Sequence, residues 1–173
     1  MYDPGRFELF CQVDSNLASP RSTTGYIIYL NGNPIVWKSR RQTTTALSSM
    51  EAEYVALSTA VSELLWVKHL LCELGYEFDE PIKIYEDNVA AIQRAENISG
   101  QTRSRHIALR HHFIQDKIES REIELVQVST LDNNADGLTK PLPLGSFRKF
   151  RDQLNLEHVQ LGSCVRDTSS YTT

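Results

Sequence analysis

The sequence predicts a mixed α/β sheet with helices on its faces. Three observations carry that expectation. Strand, hairpin, helix, strand, helix and strand patterns alternate along the chain. The longest helix pattern holds an unbroken apolar stripe fit to cover a sheet. The chain has 173 residues, 40% of them hydrophobic and 23% charged, which suits one domain with a sizeable core.

The elements follow in order. Residues 7–13 read as a strand. Residues 25–30 and 34–38 read as a hairpin around Asn31-Gly32-Asn33, a strong turn signal. Polar SRRQTTTALSS comes next, with Ser48 or Ser49 as a helix N-cap. A long helix runs to about Leu74 and stops at Gly75, which suits a C-cap. Residues 82–86 form a strand, 88–96 a short helix, and NISGQTRSR a polar loop. Residues 107–119 form a helix and 123–128 the last strand. The loop STLDNN leads to a helix from about Ala135, broken by Pro141 and Pro143, and a short helix near 145–154 follows. Residues 1–156 are expected to form one domain, and the Ser/Thr-rich stretch 157–173 a disordered tail.

Composition narrows the function. The net charge of -4 gives no global signal for nucleic acid. Local basic groups remain at Lys38, Arg40 and Arg41, at Arg103, Arg105 and Arg110, and at Arg148, Lys149 and Arg151. Each can be solvated surface or a phosphate track. Cys11, Cys72 and Cys164 are odd in number, widely spaced and without CxxC, so free thiols in a reducing compartment are expected. No apolar stretch is expected to cross a membrane, and the N-terminus has no signal-peptide pattern. A cytoplasmic or nuclear location follows as the expectation.

Four carboxylates stand out: Asp14, Glu53, Asp87 and Asp136. Each sits at the edge of an apolar segment, where a carboxylate is costly unless it is paired or binds a metal. Asp14 ends FELFCQVD, Asp87 ends IKIYED, Asp136 opens ADGLTKPL, and Glu53 lies in SSMEAEYVAL near the start of the long helix. Such a set suggests a two-metal phosphodiester-cleaving site. Helical spacing separates Glu53 from its neighbour Glu51. From Glu53 the same face carries Ala56, Leu57, Ala60, Leu64, Val67 and Leu71. From Glu51 it meets Ser58, Ser62 and His69, which suits solvent. Glu86 and Asp132 read as structural, Asp132 as a possible cap of the helix after it. His106, His111 and His112 lack a further ligand at zinc spacing and read as packing or phosphate contacts.

At these residues the chain resembles the C-terminal ribonuclease H domain of copia-type LTR retrotransposon polyproteins. The match runs through STTGYIIYLNGNPIVWKSRRQTTTALSSMEAEYVAL, IKIYEDNVAAI, RHIALRHHFI and NNADGLTKPLP with FRKFRDQLNL, roughly residues 11–156. The resemblance implies a ribonuclease H-like fold, a five-stranded mixed sheet flanked by helices. It implies two magnesium (or manganese) ions and hydrolysis of the RNA strand of an RNA–DNA hybrid during reverse transcription. By motif position the ligands and catalytic residues are Asp14, Glu53, Asp87 and Asp136. Partners would be the hybrid and the reverse transcriptase domain of the parent polyprotein. Asn88, Ser49, Gln42 and Arg105 are the candidate substrate contacts.

The chain also departs from the family pattern. The first motif, usually DxDWAG, reads DSNLAS, so Asn16 and Leu17 replace an acid and a Trp. The segment from Asp14 to Ser22 is about four residues shorter than the resemblance leads one to expect. Ala108 stands where an acid usually follows RHI, and STLDNN lacks the histidine that cellular ribonucleases H carry there. The alternative reading is therefore a catalytically inactive ribonuclease H-like remnant or host-recruited module that binds nucleic acid or protein. An integrase-like nuclease is disfavoured, because its last carboxylate is usually a Glu on a late helix.

Overall fold

The computed structural model describes residues 7–96 and 105–156, with the side chains of Arg105 and His106 outside that description. Five strands form one mixed sheet: β1 (Leu9–Asn16), β2 (Thr23–Leu30), β3 (Asn33–Arg41), β4 (Ile82–Glu86) and β5 (Ile123–Gln127). Their order is β3-β2-β1-β4-β5, antiparallel from β3 to β1 and parallel from β1 to β5. The helices are α1 (Ser49–Glu73), α2 (Val89–Glu96), α3 (Arg105–Glu119), α4 (Asp136–Thr139) and α5 (Leu144–Gln153).

Local chemistry sets most boundaries. Asn31 and Gly32 both take positive φ, which closes the β2–β3 hairpin with the twist its strands need. Ser48 caps α1, its side chain accepting from Glu51 N. Gly75 at φ +92 ends the helix, with its N–H donating to Cys72 O.

Strand alternation sends side chains to two faces. Cys11, Val13, Tyr26, Ile28 and Ile84 meet α1 in the main core. Phe10, Ile27 and Tyr29 face the other way, against Leu138, Phe150 and Leu154 near the end of the described chain. Phe10 stacks on Tyr29 with centroids 4.6 Å apart.

Several expectations need correction. β1 runs on to Asn16, so Asp14 lies inside the strand, paired with Gly25, rather than at its end. The β2–β3 pairing likewise extends to Thr23 and Arg41. α4 is a single turn, Asp136–Thr139, that stops before Pro141. α1 is in fact long and apolar enough to cross a membrane by length and composition, contrary to the expectation that no stretch is. Its apolar face instead lies on the sheet as the core helix. α3 packs on the side of α1 read as solvent-facing, so Ser58 is buried and accepts from Arg110 Nη1. Cys11 is buried and Cys72 exposed, both free thiols, while Cys164 and the stretch 157–173 lie outside the described residues.

Candidate active site

The four predicted carboxylates come from four elements that meet at one end of the sheet. β1 and β4 are parallel neighbours, with Gln12 opposite Tyr85. Two residues further along that register, Asp14 stands level with Asp87, just past the end of β4. Asp136 opens α4, which lies across β2 and β1. Asp14, Asp87 and Asp136 each offer a carboxylate oxygen, all within 4.8 Å of one another. Glu53, on the first turns of α1, is 6% exposed. It lies close enough for its charge to interact with those of Asp14 and Asp87.

The close approach of α4 has a local cause. Gly25 pairs with Asp14, and a Cβ there would lie 2.7 Å from Thr139 Cγ2 and 2.9 Å from Ala135 O. Only a glycine lets the loop settle on β2 at this point. Polar side chains then fix the loop. Asn133 Nδ2 donates to Val13 O, and Ala135 N donates to Asn133 Oδ1. Gln12 Nε2 donates to Asp132 O, while Gln12 Oε1 accepts from Tyr29 OH and Asn134 N. Ser39 Oγ donates to Leu138 O, and Asn16 Nδ2 to Thr139 O. The Thr139 hydroxyl donates directly to Asp14 Oδ2.

The electrostatics follow from crowding. Burial, then the charges of Asp136 and Asp87, push the Asp14 carboxyl up to about 7, against the pull of Thr139 and Lys140. Burial, then the charges of Asp14 and Asp87, push Glu53 up to about 8. Glu53 Oε2 is buried without a hydrogen-bond partner. All the ligand atoms are carboxylate oxygens, and two of them, Glu53 Oε2 and Asp136 Oδ1, have no hydrogen-bond partner, so the set suits a hard divalent cation and disfavours a zinc-type site.

Glu86 is fully buried. It shares the parity of Ile82 and Ile84, which turns it under α1 towards Glu53. Burial, then the Glu53 charge, hold its carboxyl well above the usual range. Its Oε1 accepts from Asn88 N, so the structural role read from the sequence stands, but beside the site.

The candidate substrate contacts divide. Ser49 is exposed. Asn88 Oδ1 accepts from Ala91 N, capping α2. Gln42 is buried, not open to a ligand: its amide donates to Thr24 Oγ1 and Ala52 O, tying β3 to α1. Arg105 begins α3, and only its backbone is described. Asp132 pairs with Lys149 and does not cap α4, whose N-cap position is Ala135, without a side-chain cap. His111 packs on Tyr54, its Nε2 2.9 Å from Arg94 O, as a packing histidine should.

No protein-family model matches the chain. Its sequence is 43% identical over 138 residues to the retrovirus-related Pol polyprotein from transposon RE2 of Arabidopsis thaliana, a match covering 80% of this chain and 10% of the polyprotein. The corresponding polyprotein from transposon TNT 1-94 of Nicotiana tabacum is 34% identical over 136 residues, covering 79% of this chain and 10% of its own length. The chain's homologues are retrovirus-related Pol polyproteins from copia-type transposons. The chain spans about a tenth of the length of these relatives.

Solved structures supply the fold. LC11-RNase H1 in complex with an RNA/DNA hybrid matches at TM-score 0.59 and 15% identity, covering 76% of this chain and 94% of that one. RNase H1 from Halobacterium salinarum matches at TM-score 0.53 and 16% identity, covering 78% and 95%. The chain has the ribonuclease H fold.

Sequence reasoning did not single out Gly25, Asn133, Thr139 or Lys140. Gly25 carried a usable signal, since a glycine inside a strand marks a close backbone approach. Thr139 and Lys140 stand three and four residues beyond Asp136, where helical spacing returns a side chain to the same face.

Proposed function

We propose that this domain is a metal-dependent endonuclease that hydrolyses the RNA strand of RNA–DNA hybrids during retrotransposon reverse transcription. The observation that carries the reading is the convergence of Asp14, Asp87 and Asp136 within 4.8 Å, with Glu53 buried beside them. The ribonuclease H fold and the transposon Pol relatives support the coarser reading of a ribonuclease H-like nuclease.

Asp14, Glu53, Asp87 and Asp136 would hold two magnesium or manganese ions, which would supply charge stabilisation of the phosphate and activation of the attacking water. Thr139 fixes the Asp14 carboxylate by a hydrogen bond to Oδ2. Gly25 and Asn133 seat the loop that presents Asp136. Glu86 and Asn88 order the turn that presents Asp87. Ser49, Asn88 and Arg105 would meet the nucleic acid, where 2′-hydroxyl contacts and helix shape select the hybrid. The partner in the intact polyprotein would be its reverse transcriptase domain.

The replacement of an acid by Asn16 does not favour an inactive remnant. Its amide donates to Thr139 O, which an ionised aspartate could not do, so the residue helps to hold α4. The test compares a labelled hybrid with single-stranded RNA and duplex DNA, each with magnesium and with EDTA. Cleavage of the hybrid's RNA strand alone, and only with metal, is expected. Equal cleavage of all three substrates, or none, would overturn the reading.

A further inference from the structure

Lys140 is the one cation paired with the carboxylate cluster among the described residues. Its Nζ lies 2.8 Å from Asp136 Oδ1, four residues back on the α4 turn. This is a close ion pair at hydrogen-bond distance. The partners differ in exposure: the Lys140 side chain is 40% accessible and that of Asp136 only 14%. The lysine head reaches the cluster from the solvent side, and Asp136 is held within it.

We propose that Lys140 is the resident counter-cation of this cluster, steadying Asp136 before any divalent ion arrives and competing with that ion for the same oxygen. The proposal rests on the metal-binding reading given above. Three carboxylates gathered within 4.8 Å repel one another, and a cation at their open side lowers that repulsion. The same placement opposes a divalent ion, because the ammonium is a like charge and covers a donor atom. Four flexible methylenes let the head withdraw into solvent when the ion binds. Lys140 would thus set the metal concentration at which the Asp136 position fills. The loop anchors work differently: Asn133 and Thr139 fix the backbone and Asp14, whereas Lys140 acts by charge and can leave.

The test uses the metal alone, without nucleic acid. Manganese is titrated calorimetrically into wild type, Lys140→Met and Lys140→Arg, and each metal-free protein is melted in EDTA at neutral pH. Lys140→Met should bind manganese about tenfold more tightly and melt lower without metal, since a tenfold change corresponds to about 1.4 kcal/mol and one unit charge near an ion accounts for that much. Lys140→Arg should stay within about twofold of wild type, because it keeps the charge. Unchanged or weaker manganese binding by Lys140→Met, with a normal melting transition, would overturn the proposal. Lys140→Gln serves as a second neutral variant if Lys140→Met does not fold. Absence of manganese binding by all the proteins would overturn the metal reading itself. Binding that depends on Lys140 in a protein that cleaves no hybrid would overturn only the nuclease reading.

Discussion

Asparagine at position 14 should stabilise the metal-free protein, and by more as pH rises. Asp14 is 4% exposed. Burial first, and then the neighbouring carboxylates, raise its carboxyl from an ordinary 3.8 to about 7. Between those values the folded state holds a proton that the unfolded chain has released. Stability therefore falls as pH climbs through that interval and levels off above it. At about 1.4 kcal/mol per pH unit, the whole interval corresponds to about 4 kcal/mol, of which roughly 2–3 kcal/mol falls between pH 5 and pH 7. Asp14→Asn removes this titration and keeps an oxygen that can accept from Thr139. Glu53, raised to about 8 by burial and by the Asp14 charge, moves wild type in the same direction. Asp87, Asp136 and Lys140 also face the group. The assay is thermal melting in EDTA at pH 5 and pH 8. The advantage of Asp14→Asn should widen by about 2–3 kcal/mol between them, some 4–12 °C for a chain of this size. A constant advantage, or a wild type that melts higher at pH 8 than at pH 5, would refute the argument that its surroundings raise the Asp14 carboxyl.

Other variants probe separate parts of the site. Glu53→Gln should lower hybrid cleavage by roughly 10²-fold or more, as loss of a charged group at the reacting centre does. Glu51→Gln should keep activity and lose at most about 1 kcal/mol through its weakened contact with Leu47 N; steady-state rates and melting curves separate the two. Asp87→Asn should nearly abolish cleavage and leave the melting temperature equal or higher, so a large drop with activity retained would make Asp87 structural. Gly25→Ala should cost about 1–3 kcal/mol and most of the activity, because its new methyl meets Ala135 O and moves α4 off β2. Normal melting and normal rates for this variant would show that α4 does not depend on that contact.

The parts legible in the sequence were those written in local patterns. All five strands and the α1 caps follow from alternation, turn residues and helix signals within short windows. Glu53 could be told from Glu51 because its stripe was apolar throughout, and burial of Glu53 agrees with that phase. The remainder depended on distant partners. β1 extends past Asp14 because β2 continues to pair with it through Thr23, a length no local pattern in FELFCQVD sets. Ser58 is buried because α3 lies on it. Gln42 was read as a substrate contact from its polar loop, yet β3 continues through Arg41 and turns its amide into the base of α1. Glu86 read as structural, and its parity within β4 could not show that its carboxyl would feel the charge of Glu53 on α1. Lys140 and Thr139 gained meaning only once α4 was seen to lie on Gly25.

The most direct measurement of the central claim is cleavage of an end-labelled RNA–DNA hybrid by wild type and Asp87→Asn, with magnesium and with EDTA, followed by analysis of the RNA ends. Wild type with magnesium should leave 3′-hydroxyl and 5′-phosphate ends, and the variant and the EDTA reactions should leave the RNA intact. Cleavage that survives EDTA, or products ending in 2′,3′-cyclic phosphates, would contradict a metal-dependent hydrolysis at these carboxylates.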